Sequence, residues 1–125
     1  MKKIKIHVDN LEIEADLFDT PTAKTIEEAL PFEGEVNVWG EEIYFDIPVS
    51  CQQEPEAREE VEPGDLAFWP TGSAFCIFFG PTPVSTDDKP RAYSPVNVFG
   101  HINGGTSSLK TVSYGAKIII EKVAD

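Results

Sequence analysis

The chain has 125 residues and a formal charge of -12, from 22 acidic against 10 basic side chains. That length makes one domain, residues 1–125, able to bury roughly two-thirds of its unfolded surface without disulfide or metal staples. The charge excludes a nucleic-acid backbone as partner, because phosphate binding needs a concentrated lysine and arginine surface. Ile118–Ile120, the longest aliphatic run, is far short of the roughly 20 apolar residues that span a bilayer.

At the start of the chain Lys2, Lys3 and Lys5 interleave with Ile4, Ile6 and Val8. This is strand patterning and not a basic segment followed by an apolar one, so a secretory signal is not expected and the protein is read as soluble and cytoplasmic. Leu11, Ile13, Ala15 and Leu17 alternate with Glu12, Glu14 and Asp16, which predicts a second strand. Asp9-Asn10 supplies the two-residue turn between them. Thr20-Pro21 then reads as an N-cap and first helical residue, with Ile26, Ala29 and Leu30 as the apolar stripe of a short helix that Pro31 stops.

Beyond Glu33 the pattern returns to strands: "EGEVNVWG", "EEIYFDIPV", "GDLAFWP", "SAFCIFFG", "PVNVFGHI" and "AKIIIEKV". Together with the first hairpin these make eight strands, and with one or two short helices they predict a mainly β, closed eight-stranded barrel capped by those helices. "QQEPEAREEVEP" (Gln52–Pro63) reads as a solvated acidic excursion with a helical turn near Ala57, and Gly80–Pro95 as a loop stiffened by four prolines. "LAFWP" and "AFCIFFG" are apolar on both faces, with Ala67 and Trp69 opposite Leu66 and Phe68, and Phe75, Ile77 and Phe79 opposite Ala74, Cys76 and Phe78. Such strands need cover on both sides, from the barrel core within and from a helix, a loop, a ligand or a second subunit without; a homodimer is one arrangement that would provide it.

Conventional chemistry is thinly supplied. Cys51 and Cys76 are read as free structural thiols. With His7 and His101 they fall at no metal-ligand spacing, so neither metal nor cofactor is expected. His7 sits on the lysine-bearing face of the first strand, and His101 shares a face with Asn97 and Phe99, opposite Val96, Val98 and Ile102. No nucleophile elbow, P-loop or dinucleotide fingerprint occurs. Glu41 and Glu42 lie between Trp39 and Tyr44, but neighbours on a strand point apart, so they cannot act as a convergent pair. Most aromatic residues of Gly64–Pro83 belong to the core; Trp69 is the exception, because Pro70 ends its strand and leaves the indole at a rim.

"PFEGEVNVWGEEIYFDIPV", "GDLAFWPTGSAFCIFFGPTP" and "SPVNVFGHI" closely resemble a small family of uncharacterised prokaryotic proteins with a cyclophilin-like fold, most specifically in "WGEEIYF" and "FFGPTP". The resemblance covers nearly the whole chain and implies the closed eight-stranded barrel with capping helices. A looser similarity links "GSAFCIF" and "VNVFGHI" to the cyclophilins proper, the peptidyl-prolyl isomerases, but their catalytic set does not carry over. The region matching their arginine-bearing strand has no arginine, Val96 stands where they have histidine, Ala74 where they have glutamine, and Cys76 where they have a pocket phenylalanine. The resulting expectation is a barrel that binds a peptide or a small ligand in an aromatic groove, with Trp39, Glu42, Tyr44, Trp69 and Asn97 as ligand-binding candidates and no conventional enzyme activity. The alternatives are a divergent peptidyl-prolyl isomerase and, behind it, a lyase or hydrolase using Glu42 with Asn97 or His101.

Overall fold

Period-two patterning near both ends of the chain brings the first and last strands together. In the computed structural model, which describes residues 2–123, the strands are β1 (Lys3–Val8), β2 (Leu11–Leu17), β3 (Phe32–Glu35), β4 (Asn37–Val38), β5 (Glu42–Asp46), β6 (Arg58–Glu60), β7 (Asp65–Trp69), β8 (Ala74–Phe78), β9 (Arg91–Ile102) and β10 (Lys117–Lys122). One helix, α1 (Pro21–Ala29), and a 3₁₀ turn at Ser107–Thr111 complete the described elements. β1 pairs antiparallel with both β2 and β10, and its alternate residues Ile4, Ile6 and Val8 enter the core. Asp9 turns the first hairpin at φ 53°, a conformation that Asp tolerates better than most residues.

The sheet runs β3-β10-β1-β2-β9-β7-β8-β5-β4, with β6 added to β9. This corrects the expected closed eight-stranded barrel in two respects: among the described residues there are ten strands, and their hydrogen-bonded ladder is not closed. "EGEVNVWG" contributes two strands, because the chain changes partner at Val36, from β10 on one side to β5 on the other. Val36 itself is buried, donates to Ala116 O at 2.9 Å and accepts from Gly115 N at 2.8 Å. The two ends of the path, β3 and β4, are therefore consecutive in sequence, and the sheet curls around one interior without a continuous seam.

Ile4, Ile6, Leu17, Phe32, Phe45, Leu66, Phe68, Phe75, Ile77, Phe99, Ile118 and Ile120 fill that interior. Phe75 meets Phe45 at 5.4 Å and Phe99 at 5.2 Å between ring centroids, spacings at which tilted and edge-to-face rings attract. α1 joins the same core. Thr20 Oγ1 accepts from Ala23 N at 3.1 Å, Pro21 opens the helix and Ile26 is fully buried, whereas Ala29 of the expected stripe is exposed and Thr22 and Ala23 take its place.

The acidic excursion is not wholly solvated. It holds β6 and the buried Val61, while Ala57 N closes only a turn onto Glu54 O at 3.0 Å. The last five residues of the expected 80–95 loop are also strand, since β9 begins at Arg91. These two segments supply much of the cover that the outer face of β7 and β8 requires: Ala67, Ala74, Cys76 and Phe78 are buried with Val61, Ala92 and Val96 in a second apolar cluster. That cover comes from the chain itself, and α1 takes no part in it.

Candidate functional site

The second cluster does not cover the whole outer face. Where it stops, a cleft of about 270 Å³ opens, lined by Trp39, Glu42, Tyr44, Trp69, Cys76, Phe78, Ala92, Tyr93 and Val96. Strand register explains the grouping. Glu42 and Tyr44 alternate on one face of β5, opposite Phe78 and Cys76 of β8, and Ala67 and Trp69 of β7 continue the rows. Both tryptophans of the chain stand at its margins.

The turn from Trp39 to Glu42 fixes the first indole. Trp39 N donates to Glu42 O at 2.9 Å and Glu42 N returns a bond to Trp39 O at 3.2 Å. Gly40 sits at φ +62°, and a Cβ there would lie 2.8 Å from both Thr82 Cα and Pro83 Cδ. Glu41 N donates to Pro81 O and Phe79 N donates to Glu41 O, each at 2.9 Å. The "WGEE" and "FFGPTP" segments are thus one unit, and only glycine fits where they touch.

Trp69 closes the other margin and is held by its Nε1–H, which donates to Ser94 Oγ at 2.6 Å. Tyr93 stands between the two indoles, its ring centroid 6.3 Å from each, at interplanar angles of 71° to Trp39 and 83° to Trp69. Tyr93 is 69% exposed.

Glu42 forms the floor. It is 6% exposed, and burial pushes its carboxyl from the ordinary 4.5 up to about 7, opposed in part by the neighbouring Cys76 side chain. No cationic side chain lines the cleft. Burial also raises Tyr44, helped by the charge of Glu42, and raises the Cys76 thiol well above its usual value. A raised carboxyl without a cation is what desolvation produces when no opposite charge replaces the lost water. Glu41 points away, as strand alternation requires, and lies 3.9 Å from Lys110 Nζ.

Of the five sequence candidates, Trp39, Glu42, Tyr44 and Trp69 meet in this cleft, and Asn97 does not. Asn97 is buried on the other face of β9, where it donates to Thr22 Oγ1 (3.0 Å) and Gln52 O (2.9 Å) and accepts from Glu54 N (2.8 Å). Glu54 in turn accepts from Thr22 N at 3.0 Å and from the Thr22 hydroxyl. Its amide is fully used in tying α1 and the 52–54 segment to the sheet.

His101 also departs from its expected face. A register shift in the pairing of β7 with β9, between Leu66 and Ala67, reverses the alternation beyond Phe99. Ile102 therefore joins the core with Phe99 and His101 turns outward. Its Nδ1 lies 2.9 Å from Asp65 Oδ1, and Asp65 also accepts from Glu62 N at 2.9 Å. A grouping of Glu42 with Asn97 or His101 is not formed. Neither arginine reaches the cleft: Arg91 pairs with Glu59 and Glu60, and Arg58 Nη2 lies 3.7 Å from Asp65. His7 is on the wet face, 2.9 Å from Glu121. Both cysteines are free, and no group of metal-ligating side chains occurs among the described residues.

Tyr93, with Ala92 beside it, is a lining residue that sequence reading does not reach. Pro90 and Pro95 bracket it and suggest a loop, although "RAY" between them has strand-compatible residues that could have signalled an edge.

The curled, mainly β sheet is that of a cyclophilin-like fold. The cyclophilin-like family model matches residues 2–121, and the chain belongs to that family. Among solved structures it is similar to a hypothetical protein from Archaeoglobus fulgidus, determined in solution, with 38% identity, a TM-score of 0.83, and coverage of 98% of this chain and 95% of that one. No curated protein matches. No helix among the described residues is long and apolar enough to cross a membrane.

Proposed function

We propose that this protein is a ligand-binding member of its family, holding a peptide or small molecule in the outer cleft and not catalysing prolyl isomerisation. One observation carries the reading: Trp39, Tyr93 and Trp69 surround a concave apolar space of about 270 Å³ that has a single buried carboxyl at its base and no cation on its walls. Apolar concavities with few polar groups are the usual form of small-ligand sites.

The same observation argues against the isomerase. Rotation about a prolyl amide faces a barrier of roughly 18–20 kcal/mol, and a cation stationed at the proline nitrogen lowers it by opposing amide resonance. Here the group nearest that role is Glu42, whose ionised form has the wrong sign.

The two indole N–H signals of Trp39 and Trp69 give a direct test by NMR. A set of proline-containing peptides and neutral fragments is expected to include binders that shift both signals, with Trp69→Ala abolishing the response at retained fold. In a parallel isomerisation assay the rate is expected to stay at the uncatalysed level. If no member of the set shifts either indole, the binding reading fails. Catalysis that is lost in Trp69→Ala but kept in Arg91→Ala would instead establish a divergent isomerase.

A further inference from the structure

The walls and floor of the cleft differ in what they offer a guest. The walls are ring faces and edges, and a ring face is the negative end of an aromatic quadrupole. Tyr93 meets the two indoles at 71° and 83°, the angles of a three-sided box. Trp69 Nε1–H is already committed to Ser94. The floor is Glu42, whose carboxyl has no salt-bridge partner on any element packed against it: Cys76 faces it from β8, Tyr93 lies on β9, and Tyr44 is its neighbour on β5.

We propose that the cleft recognises a methylated ammonium group, tertiary or quaternary, with Trp39, Tyr93 and Trp69 as walls and Glu42 as counter-ion; this rests on the ligand-binding reading above.

Three considerations select that chemistry. A cation regains in cation–π attraction and carboxylate pairing what it loses in hydration, whereas an anion would meet the Glu42 carboxylate among aromatic rings and find no cation on the walls. A primary ammonium carries three N–H donors and is strongly hydrated, and walls made mainly of aromatic rings replace few of the hydrogen bonds it gives up. Methylation removes those donors and replaces them with apolar surface that suits the rings. The space is adequate, since a cavity of roughly 150 Å³ already accepts benzene. The chain's charge of -12 favours the encounter with any cation.

Glu42 sets the pH dependence. Its ionised form attracts the cation, and its carboxyl titrates at about 7, so affinity rises with pH, by about ten-fold between roughly pH 6 and pH 8.

The test uses the intact protein and four probes: tetramethylammonium; choline; 3,3-dimethylbutan-1-ol, its uncharged isostere; and ethanolamine, its unmethylated counterpart. Binding is read from the two indole N–H signals. Tetramethylammonium and choline are expected to shift both, and choline to bind at least about ten-fold more tightly than either of its analogues. Glu42→Gln should reduce the preference over the neutral isostere to what the rings alone supply and flatten the pH profile. Tyr93→Leu alters an exposed wall and should keep the fold, verified by the amide spectrum, while weakening choline several-fold.

If the neutral isostere binds as well as choline, the charge assignment is overturned and the cleft remains a ligand site. Equal binding of ethanolamine overturns the methylated class. Unchanged choline affinity in Tyr93→Leu overturns the box. If no probe shifts either indole, the proposal is overturned, and the peptide and fragment set decides the broader reading separately.

Discussion

Glu42 is the residue at which burial and chemistry conflict most. Its carboxyl is raised from 4.5 to about 7 by desolvation, so between those values the folded state binds a proton that the unfolded state has released. Stability rises with pH only where the unfolded state binds more protons; here the sign is reversed. The contribution is fully present below about pH 4.5 and declines as pH rises to about 7, by at most about 3 kcal/mol. Glu42→Gln has no such titration. The stability of the native protein relative to this variant, from urea midpoints at about pH 5 and about pH 8, is therefore expected to fall with rising pH. Parallel curves would mean that the carboxyl is hydrated in the folded protein.

Among the elements, the 39–42 turn and the 79–83 segment act as a pair. Gly40 holds a left-handed conformation and a Cβ there would overlap the backbone of Thr82, so Gly40→Ala combines strain with overlap. We expect a loss of about 1–3 kcal/mol, measured by denaturant unfolding. Because the same turn positions Trp39, the variant should also lose the indole shift on ligand addition at Trp39 more than at Trp69. An unperturbed stability would show that the two segments separate easily. The irregularity in β9 has a comparable effect on side-chain placement. One register shift sends Ile102 inward and His101 to Asp65, a reversal of the alternation that strict period two assigns.

For the molecule as a whole, the partner change at Val36 determines the architecture. It leaves the sheet wrapped about one interior to which β1, β2, α1, β5, β7–β10 and the 3₁₀ turn all contribute. The outer cluster shares β7, β8 and β9 with that interior, so loss of either removes support from the other. Far-UV circular dichroism, which follows the sheet, and tryptophan fluorescence, which follows the cleft, are expected to give coincident single transitions. Separate midpoints would make the outer cluster an independent unit and refute the single-domain expectation.

Local pattern was enough to determine the first hairpin, the capped helix, the strand character of the chain and the two-sided burial of "LAFW" and "AFCIF", because each follows from alternation, turn chemistry or capping within a few residues. The same reasoning brought Trp39, Glu42, Tyr44 and Trp69 to notice. Only the tertiary structure decided that eight strands become ten, that Asn97 braces α1 away from the cleft, and that Tyr93 completes its wall. Those outcomes depend on where a strand changes partner and where a ladder slips by one residue, and register is set by contacts between segments far apart in sequence.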